Sequence, residues 1–365
     1  MLNGKTIAVV VPAYNEERQI LAVLKTMPDF VDRIIVVNDC STDRTAEIVK
    51  EYMAEQNAIF SCDVPNISPP ERTPYNRAEI VLHELDQEEL KYFVPAEIVN
   101  EKPEINRIIL INNLTNGGVG AAIARGYRLC RDLRIDCTAV MAGDGQMDPH
   151  ELESICKPIV SEGIDYVKGN RLIHRSAWLV IPKIRYLGNS FLSMFTKIAS
   201  GYWRVSDTQS GYTAISLKAL EALRLHKIYK KYGMPNDMLV KLNIAFCTVR
   251  EVEIKPVYNV GEVSKMKILN VIPTVTWLLF KSFFKRLWIK YLFKDFHPLF
   301  LLYNLGFFTL STSAVLFIDL LNKYFSSQSW SLVSLMLFVF LCISGFQFLL
   351  AAMWMDMQDN DRLYK

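Results

Sequence analysis

Residues 139–150 read Ala-Val-Met-Ala-Gly-Asp144-Gly-Gln146-Met-Asp148-Pro149-His, an apolar run that delivers an acidic, glycine-flanked turn. A carboxylate at the end of a buried strand, beside glycine and an amide side chain, has the hard-oxygen chemistry that holds a divalent cation against a diphosphate. Two more polar turns follow apolar runs upstream: Val11-Pro12-Ala13-Tyr14-Asn15-Glu16-Glu17, and Asn38-Asp39-Cys40-Ser41-Thr42-Asp43. Asp39 can accept a hydrogen bond from a base N–H or a ribose hydroxyl. A fourth turn, Asn116-Gly117-Gly118-Val119-Gly120, lacks the Gly-Lys-Ser/Thr ending of an ATP P-loop. It also follows the third strand, whereas a dinucleotide fingerprint follows the first. Its glycines serve either a phosphate or a tight strand-to-helix turn.

Parallel strands would carry these turns to one edge. Residues 5–13 and 33–37 are apolar runs separated by a helix-like stretch at 17–27, and 107–111 and 137–141 repeat the pattern around a helix over 120–131. Ala46, Val49 and Met53 give the helix that ends near residue 56 one buried face. Strand–helix alternation predicts an α/β fold with a mostly parallel sheet and ligands at the strand C-termini. A helix over 149–162, a strand over 165–168 and a strand pair within 247–258 continue it, and Asp148 is expected as the N-cap of the first of these. Residues 57–106, with Pro65, Pro69, Pro70, Pro74, Pro95 and Pro103 and many charges, read as an excursion from the sheet.

The chain has 365 residues, 51% of them hydrophobic, with the excess near the C-terminus. A net charge of +3 implies neither a nucleic-acid binder nor an acid-binding protein. Seven scattered cysteines without a Cys-x-x-Cys pair argue against a disulfide framework or a zinc site. The first apolar run is too short for a secretory signal and is broken at Pro12. Segments 298–318 and 330–355 carry no formal charge, and each is long enough to cross a bilayer. Lys281, Lys285, Arg286, Lys290 and Lys294 precede the first span and mark that side as cytoplasmic, which puts the preceding domain and the C-terminus together on it. Residues 266–297, with Trp277, Phe280, Phe283, Phe284 and Trp288 among the basic residues, suit amphipathic helices in the membrane interface, a packed core helix being the alternative. A two-span anchor is compatible with a homo-oligomer, although Gly306 and Gly345 form no close-packing motif by themselves.

Together, Val11-Pro12-Ala13-Tyr14-Asn15-Glu16, Val37-Asn38-Asp39-Cys40-Ser41-Thr42-Asp43, Asn116-Gly117-Gly118 and Gly143-Asp144-Gly145-Gln146 resemble, in order and spacing, the GT-A glycosyltransferases of family 2. With two C-terminal spans the chain is similar to the polyprenyl-phosphate glycosyltransferases, relatives of dolichol-phosphate mannose synthase. The resemblance covers residues 5–56 and 107–265. It implies a glycosyltransferase domain over 1–265, with 57–106 inserted, that uses a nucleotide-diphosphate sugar donor, Mg2+ or Mn2+, a polyprenyl-phosphate acceptor and a lipid bilayer. By the same resemblance Pro12, Tyr14, Glu16, Val37 and Asp39 line the base and ribose pocket. Gly118, Gly143, Asp144 and Gln146 meet the diphosphate, and Asp144 and Gln146 meet the metal. Arg171, in Gly169-Asn170-Arg171, and Arg185 match arginines placed around the phosphates. Asp207-Thr208-Gln209-Ser210-Gly211-Tyr212 matches a family turn. Lys241 and Lys265 are candidate phosphate contacts, and Asp237 sits where relatives with hydroxyl acceptors place a general base. Two departures stand out: Asn38 replaces the first aspartate of the usual Asp-Asp-Gly, and Ala142 the first of Asp-x-Asp.

A lipid phosphate is mostly a dianion at neutral pH and needs no general base. The expected reaction is direct attack on the sugar C1 with inversion, driven by positioning and electrostatics. A hydroxyl acceptor on a glycolipid or glycan would instead make Asp237 indispensable. A catalytically weak membrane scaffold is the third possibility, motivated by Asn38 and Ala142.

Overall fold

The computed structural model describes residues 1–56, 72–103, 105–258, 268–326, 329 and 331–365. Among the described residues, eight strands form one mixed sheet: β1 (Ile7–Ala13), β2 (Arg33–Asn38), β3 (Ala96–Ile98), β4 (Ile108–Asn113), β5 (Cys137–Val140), β6 (Tyr166–Asn170), β7 (Thr213–Ser216) and β8 (Val249–Glu253). Their order is β3-β4-β2-β1-β5-β7-β6-β8. Pairings β1–β2, β1–β5, β2–β4 and β6–β8 are parallel, and the pairings of β3 with β4 and of β7 with both neighbours are antiparallel. Every residue of β1 and β2 is buried, as expected of strands covered on both faces.

The period-two pattern divides the core. Ala8, Val10, Ile35 and Val37 pack under the helices α4 (Val119–Asp132), α8 (Leu217–Ala222) and α9 (Met234–Ile244). Ile7, Val9, Val11, Ile34 and Val36 pack under α1 (Ile20–Lys25), α2 (Thr45–Glu55) and α5 (Leu152–Glu162). Asp148 Oδ1 accepts the His150 N–H at 3.0 Å and caps the short 3-10 turn that leads into α5, the role expected of it.

Three parts of the sheet depart from expectation. Residues 96–98, inside the segment expected to leave the sheet, form its edge strand, while α3 (Arg77–Glu89) docks outside it. Residues 247–258 supply one strand instead of a pair. The unforeseen β7 is four residues long, too short to declare a period.

Beyond the sheet, α7 (Lys183–Ser200), which follows the short α6 (Ala177–Val180), packs against α10 (Ile268–Trp288), and α10 continues as a π-helical turn over Ile289–Lys294. Val275, Leu279, Phe283 and Leu287 of α10 pack with Ala199 of α7 and Val240 of α9, while Trp277, Phe280 and Trp288 remain exposed. The helix therefore has two apolar faces, one covered by the domain and one bare. Next, α11 (Pro298–Phe325) and α12 (Leu332–Asp361) form a hairpin that projects from the domain and returns to it. Both are long and apolar enough to cross a membrane. Gly306 and Gly345 meet across the hairpin: a Cβ on Gly306 would lie 2.7 Å from Leu349, and one on Gly345 2.7 Å from Leu310. These glycines thus do serve close packing, between the two helices of one chain.

The basic cluster needs correction. Arg286 and Lys290 are 1% and 0% exposed and cannot meet a lipid headgroup. Arg286 is gripped by Asp356 of α12, at 2.7 and 2.8 Å, and Lys290 lies 3.3 Å from Asp359. Sequence reading missed these pairs because their members are about 70 residues apart and the acidic partners end an otherwise apolar helix.

Candidate functional site

Because β1, β2, β4 and β5 are parallel, their C-termini share one edge, and register aligns Ala13 with Asn38 and Asn38 with Asn112. Backbone bonds then stitch the turns together: Asp39 N–H donates to the Ala13 carbonyl at 2.9 Å and Gly143 N–H to the Pro12 carbonyl at 3.1 Å. Side chains add to this. Asn15 Oδ1 accepts the Thr42 N–H at 2.8 Å, Thr45 Oγ1 accepts the Glu16 N–H at 2.8 Å, and Asp43 Oδ1 accepts from Thr45. Pro12, Tyr14, Glu16, Asp39, Gly143, Asp144 and Gln146 therefore stand on one edge. Val37 is different: it is fully buried in the core on the α4 side.

Asp39 is 3% exposed and explains the glycine turn. Its Oδ1 accepts from Asn113 Nδ2 at 2.8 Å and from Gly117 N at 2.9 Å, and its Oδ2 accepts from Gly118 N at 2.7 Å. The Gly118 N–H is thus directed at a carboxylate of this chain. Gly118 has φ +87°, and a Cβ there would lie 2.6 Å from the Lys230 carbonyl, which also accepts the Gly120 N–H at 2.9 Å. The tight-turn reading describes these glycines, which permit a close entry to α4, while the Gly117 and Gly118 N–H groups expected to face a phosphate are spent on Asp39. Because Asn113 Nδ2 must face the carboxylate, its Oδ1 is the acceptor left over, buried and without a partner among the described residues. Asn113 could have been noticed as a polar residue closing an apolar run.

The Asp144 turn is closed by Gln146 N–H donating to Asp144 Oδ1 at 3.0 Å, with Gly145 at φ +74°. No group of three or more His, Cys, Asp or Glu side chains that could by itself hold a metal ion occurs among the described residues. A single aspartate with a neighbouring amide oxygen still suits Mg2+ or Mn2+, which keeps waters and takes further oxygens from a substrate diphosphate.

Antiparallel β7 brings its preceding loop to this same edge. Tyr212 O–H donates to the Asp148 carbonyl at 2.9 Å, which joins residues 207–212 to the Asp144 segment. Arg171, just past β6, is clamped there: its Nε and Nη2 donate to Asp207 Oδ2 and Oδ1 at 2.8 and 3.1 Å, and its N–H to Oδ2 at 3.1 Å. Asp207 is fully buried while the Arg171 side chain keeps 23% exposure. Burial alone would raise the Asp207 carboxyl, but the Arg171 guanidinium holds it below the usual range. Beside them Lys168, fully buried, donates to the Ser210 carbonyl, and burial pushes its ammonium down to about 8.

A buried polar chain continues to α9. Gln209 Nε2 donates to Asn236 Oδ1 at 2.8 Å, and Thr196 Oγ1 donates to the same oxygen at 2.9 Å. The next residue, Asp237, uses Oδ2 to accept from Tyr229 N–H at 2.8 Å and from Lys241 Nζ. Lys241 and Asp237 are thus one ion pair, tied through residues 229–230 to the glycine turn. Arg185 lies in the first turn of α7, with its side chain outside the described residues, and Lys265 lies wholly outside them. The buried polar residues at this edge that sequence reasoning missed are Asp207 as a clamp, Lys168, Asn236 and Thr196, each of which meets a partner far away in the sequence.

The profile of glycosyl transferase family 2 matches residues 8–63 and 95–224. The chain is 28% identical over 287 residues to a UDP-N-acetylglucosamine–dolichyl-phosphate N-acetylglucosaminyltransferase of Methanococcus voltae, covering 78% of this chain and 96% of that one. It is 25% identical over 300 residues to a dolichyl-phosphate beta-glucosyltransferase of Trichomonas vaginalis, covering 77% and 74%. Among solved structures, glucosyl-3-phosphoglycerate synthase from Mycobacterium tuberculosis with UDP aligns with a TM-score of 0.46 and 17% identity, over 78% of this chain and 80% of that one.

Proposed function

The chain belongs to glycosyl transferase family 2, with a GT-A-like α/β fold and two C-terminal helices apolar enough to cross a membrane, and from that footing we propose that it transfers a sugar, with inversion, from a nucleotide-diphosphate sugar to a polyprenyl phosphate. The observation that carries the acceptor class is the root of the helical hairpin. Trp203 and Arg204, a few residues before Asp207, bond to Asp356 and Asp361 of α12. A phosphate meeting Arg171 would then lie close to where the apolar hairpin leaves the domain, the level at which a lipid phosphate presents itself. The names of the two relatives, both dolichyl-phosphate transferases, support the same class.

In this reading the remaining lone pair of Asp39 Oδ2 and the Asn113 Oδ1 accept from base N–H or ribose hydroxyl groups, next to Pro12, Tyr14 and Glu16. A Mg2+ or Mn2+ held by Asp144 and Gln146 would neutralise charge on the departing nucleotide diphosphate. Arg171, oriented by Asp207, stabilises charge on the phosphates, and Arg185 and Lys265 are further candidates for this. The acceptor phosphate attacks C1 as a dianion, so no protein group removes a proton. Asp237 fixes Lys241 and the N-terminal turn of α9 against the glycine turn, a supporting role. The bare apolar face of α10 rests in the membrane interface on the cytoplasmic side, beside the domain and the C-terminus.

The test is transfer of radiolabelled sugar from a panel of UDP- and GDP-sugars into organic-extractable material, with purified protein, polyprenyl phosphate and Mg2+. Label in a mild-acid-labile lipid that disappears in Asp144→Ala is the expected result. Nucleotide-sugar binding without any lipid label would transfer the acceptor assignment to a hydroxyl and make Asp237 the next residue to change.

A further inference from the structure

The clamp on Arg171 is itself held from outside the catalytic edge. In the segment that joins α7 to Asp207, Trp203 Nε1 donates to Asp356 Oδ2 at 3.3 Å, and Arg204 pairs with Asp361 at 2.7 Å. Past Asp361 the chain turns and runs beside β8. Val249 N–H donates to the Leu363 carbonyl at 2.8 Å, Lys365 N–H donates to the Val249 carbonyl at 3.1 Å, and Tyr364 forms a parallel bridge to Val249. Leu363 is buried in the same core as Val249 and Tyr166. The last three residues thus add a short strand segment to the sheet, outside β8.

Two residues along β8, Glu251 faces the clamp. Both of its carboxylate oxygens accept the Ser206 N–H at 2.9 Å, and Oε1 also accepts the Asp207 N–H at 2.9 Å. Asp207 then returns three acceptances to Arg171. The path from chain terminus to guanidinium is therefore continuous: tail to β8, β8 through Glu251 to the 206–207 backbone, and Asp207 to Arg171. Glu251 also lies near the buried Lys168, whose charge helps hold it ionised against a burial that raises its carboxyl.

We infer that Glu251 is a positioning residue for Arg171, and that the end of α12 with its tail is the support that holds Glu251 and the 201–206 segment in register. The inference rests on the proposed contact of Arg171 with a phosphate. Its physical basis is geometric: a guanidinium stabilises a transferring or departing phosphate only when its N–H groups meet the oxygens, and a misplacement of about 1 Å from a distant change can cost about a hundredfold in rate. Three contacts join the end of α12 and its tail to the segment before Asp207 and to β8: Trp203 with Asp356, Arg204 with Asp361, and Val249 with residues 363–365.

A double-mutant cycle on the full-length protein in detergent tests this, with the panel of UDP- and GDP-sugars, undecaprenyl phosphate and Mg2+. The rate is expressed per nucleotide-binding site, counted by calorimetric titration with UDP and GDP. Expected results are a loss of about a hundredfold in kcat for Arg171→Ala and about tenfold for Glu251→Gln, with donor KM changed little. Glu251→Gln should add nothing in the Arg171→Ala background, because it acts through that arginine. Asp361→Asn, which removes only an exposed pair with Arg204, should show a smaller loss that likewise vanishes in that background. It keeps the test open if Glu251→Gln does not fold. Asp319→Asn, at the far end of the hairpin, should leave the rate unchanged. Losses that multiply in the double variants would overturn the inference, as would unchanged kcat in both Glu251→Gln and Asp361→Asn while Arg171→Ala is crippled. If Arg171→Ala itself keeps the full rate, the assigned role of Arg171 falls and this inference with it, while transfer to lipid would still stand on its own assay.

Discussion

Arg171 and Arg286 are both held by two-point contact with a fully buried aspartate, Asp207 and Asp356, yet they differ in what the pairing leaves over. All the N–H groups of Arg286 are engaged: two with Asp356, one with Tyr291 O–H at 3.4 Å, and two with the Ala199 and Ile198 carbonyls at 2.9 and 3.1 Å. Its side chain is 1% exposed. At Arg171 the aspartate takes the Nε and Nη2 edge, Nη1 stands outside that contact, and the side chain keeps 23% exposure. A carboxylate–guanidinium pair is therefore not diagnostic alone. The residual donor capacity separates an arginine that rivets the helical hairpin to the domain from one that can take a phosphate.

The difference can be broken most forcefully at the rivet. Asp356→Ala leaves a saturated, sealed guanidinium without its counter-charge, and a stability loss of about 3–5 kcal/mol is expected. Replacing Arg286 and Asp356 together by Met and Leu should recover most of it. Thermal unfolding in detergent measures both, and a single variant that melts like the parent would mean the pair is not desolvated as described.

Each clamp also has a buried lysine beside it, and burial pushes both Lys168 and Lys290 down to about 8. Asp207 and Glu251 favour the Lys168 charge and Arg171 opposes it, while Asp359 and Asp356 favour the Lys290 charge against Arg286. A free lysine titrates near 10.4, so between about pH 8 and 10.4 the unfolded chain binds more protons than the folded one. Each lysine's own contribution to stability then rises with pH across that window, by at most about 1.4 kcal/mol per pH unit, and its burden is fully present below pH 8, while the buried thiols of Cys130, Cys137 and Cys247 and the buried Tyr127, all shifted upward, act in the opposite sense above about pH 9. Raising the pH from 8 to 10 should therefore change the melting temperature less favourably in Lys168→Met than in the parent, since the variant lacks the Lys168 contribution. An identical change in the variant would remove Lys168 as a source.

The two clamps were not equally legible in the sequence. Turns after 13, 38, 113 and 141 could be read because each follows a local apolar run, and the parallel pattern then forces their meeting at one edge. Arg171 was found through its Gly169-Asn170-Arg171 context, but its partner Asp207 depends on β7, a four-residue strand with no readable period. Lys168 sits in Tyr166-Val167-Lys168-Gly169, where a lysine reads as a surface residue until the neighbouring strand covers it. Arg286 and Lys290 looked like a basic flank of a membrane span. Only tertiary closure of the hairpin shows that α12 returns Asp356 and Asp359 to them.

A gentler cut separates the clamps by readout. Arg171→Lys keeps a charge for Asp207 but loses the planar fork, so kcat should fall about tenfold to a hundredfold with little change in melting. Arg286→Lys should do the reverse and lower the melting temperature, with the rate per folded molecule near that of the parent. Equal effects on both readouts for the two variants would erase the distinction between the arginines.

The smallest expected effect concerns the backbone of the two regions. Around the site, Asn15 and Cys40 hold φ of +53° and +60°, in the left-handed region, whereas no non-glycine residue of α10, α11 or α12 does so among the described residues. Cys40 follows Asp39, and the left-handed turn lets Ser41 N–H reach Asn38 Oδ1 at 3.2 Å and Ser41 Oγ accept from Asn15 N–H at 3.0 Å. A left-handed conformation costs an L-residue about 1–2 kcal/mol, and glycine escapes it at a loss of about 0.5–1 kcal/mol in chain entropy. Cys40→Gly should therefore be close to neutral, and Cys40→Val should lower stability by about 1–2 kcal/mol because branching at Cβ tightens the restriction. A valine variant that unfolds with the parent would show that the turn gives way at little cost. The site edge would then owe its shape to the Asp39 and Asp207 clamps, with no contribution from a strained backbone.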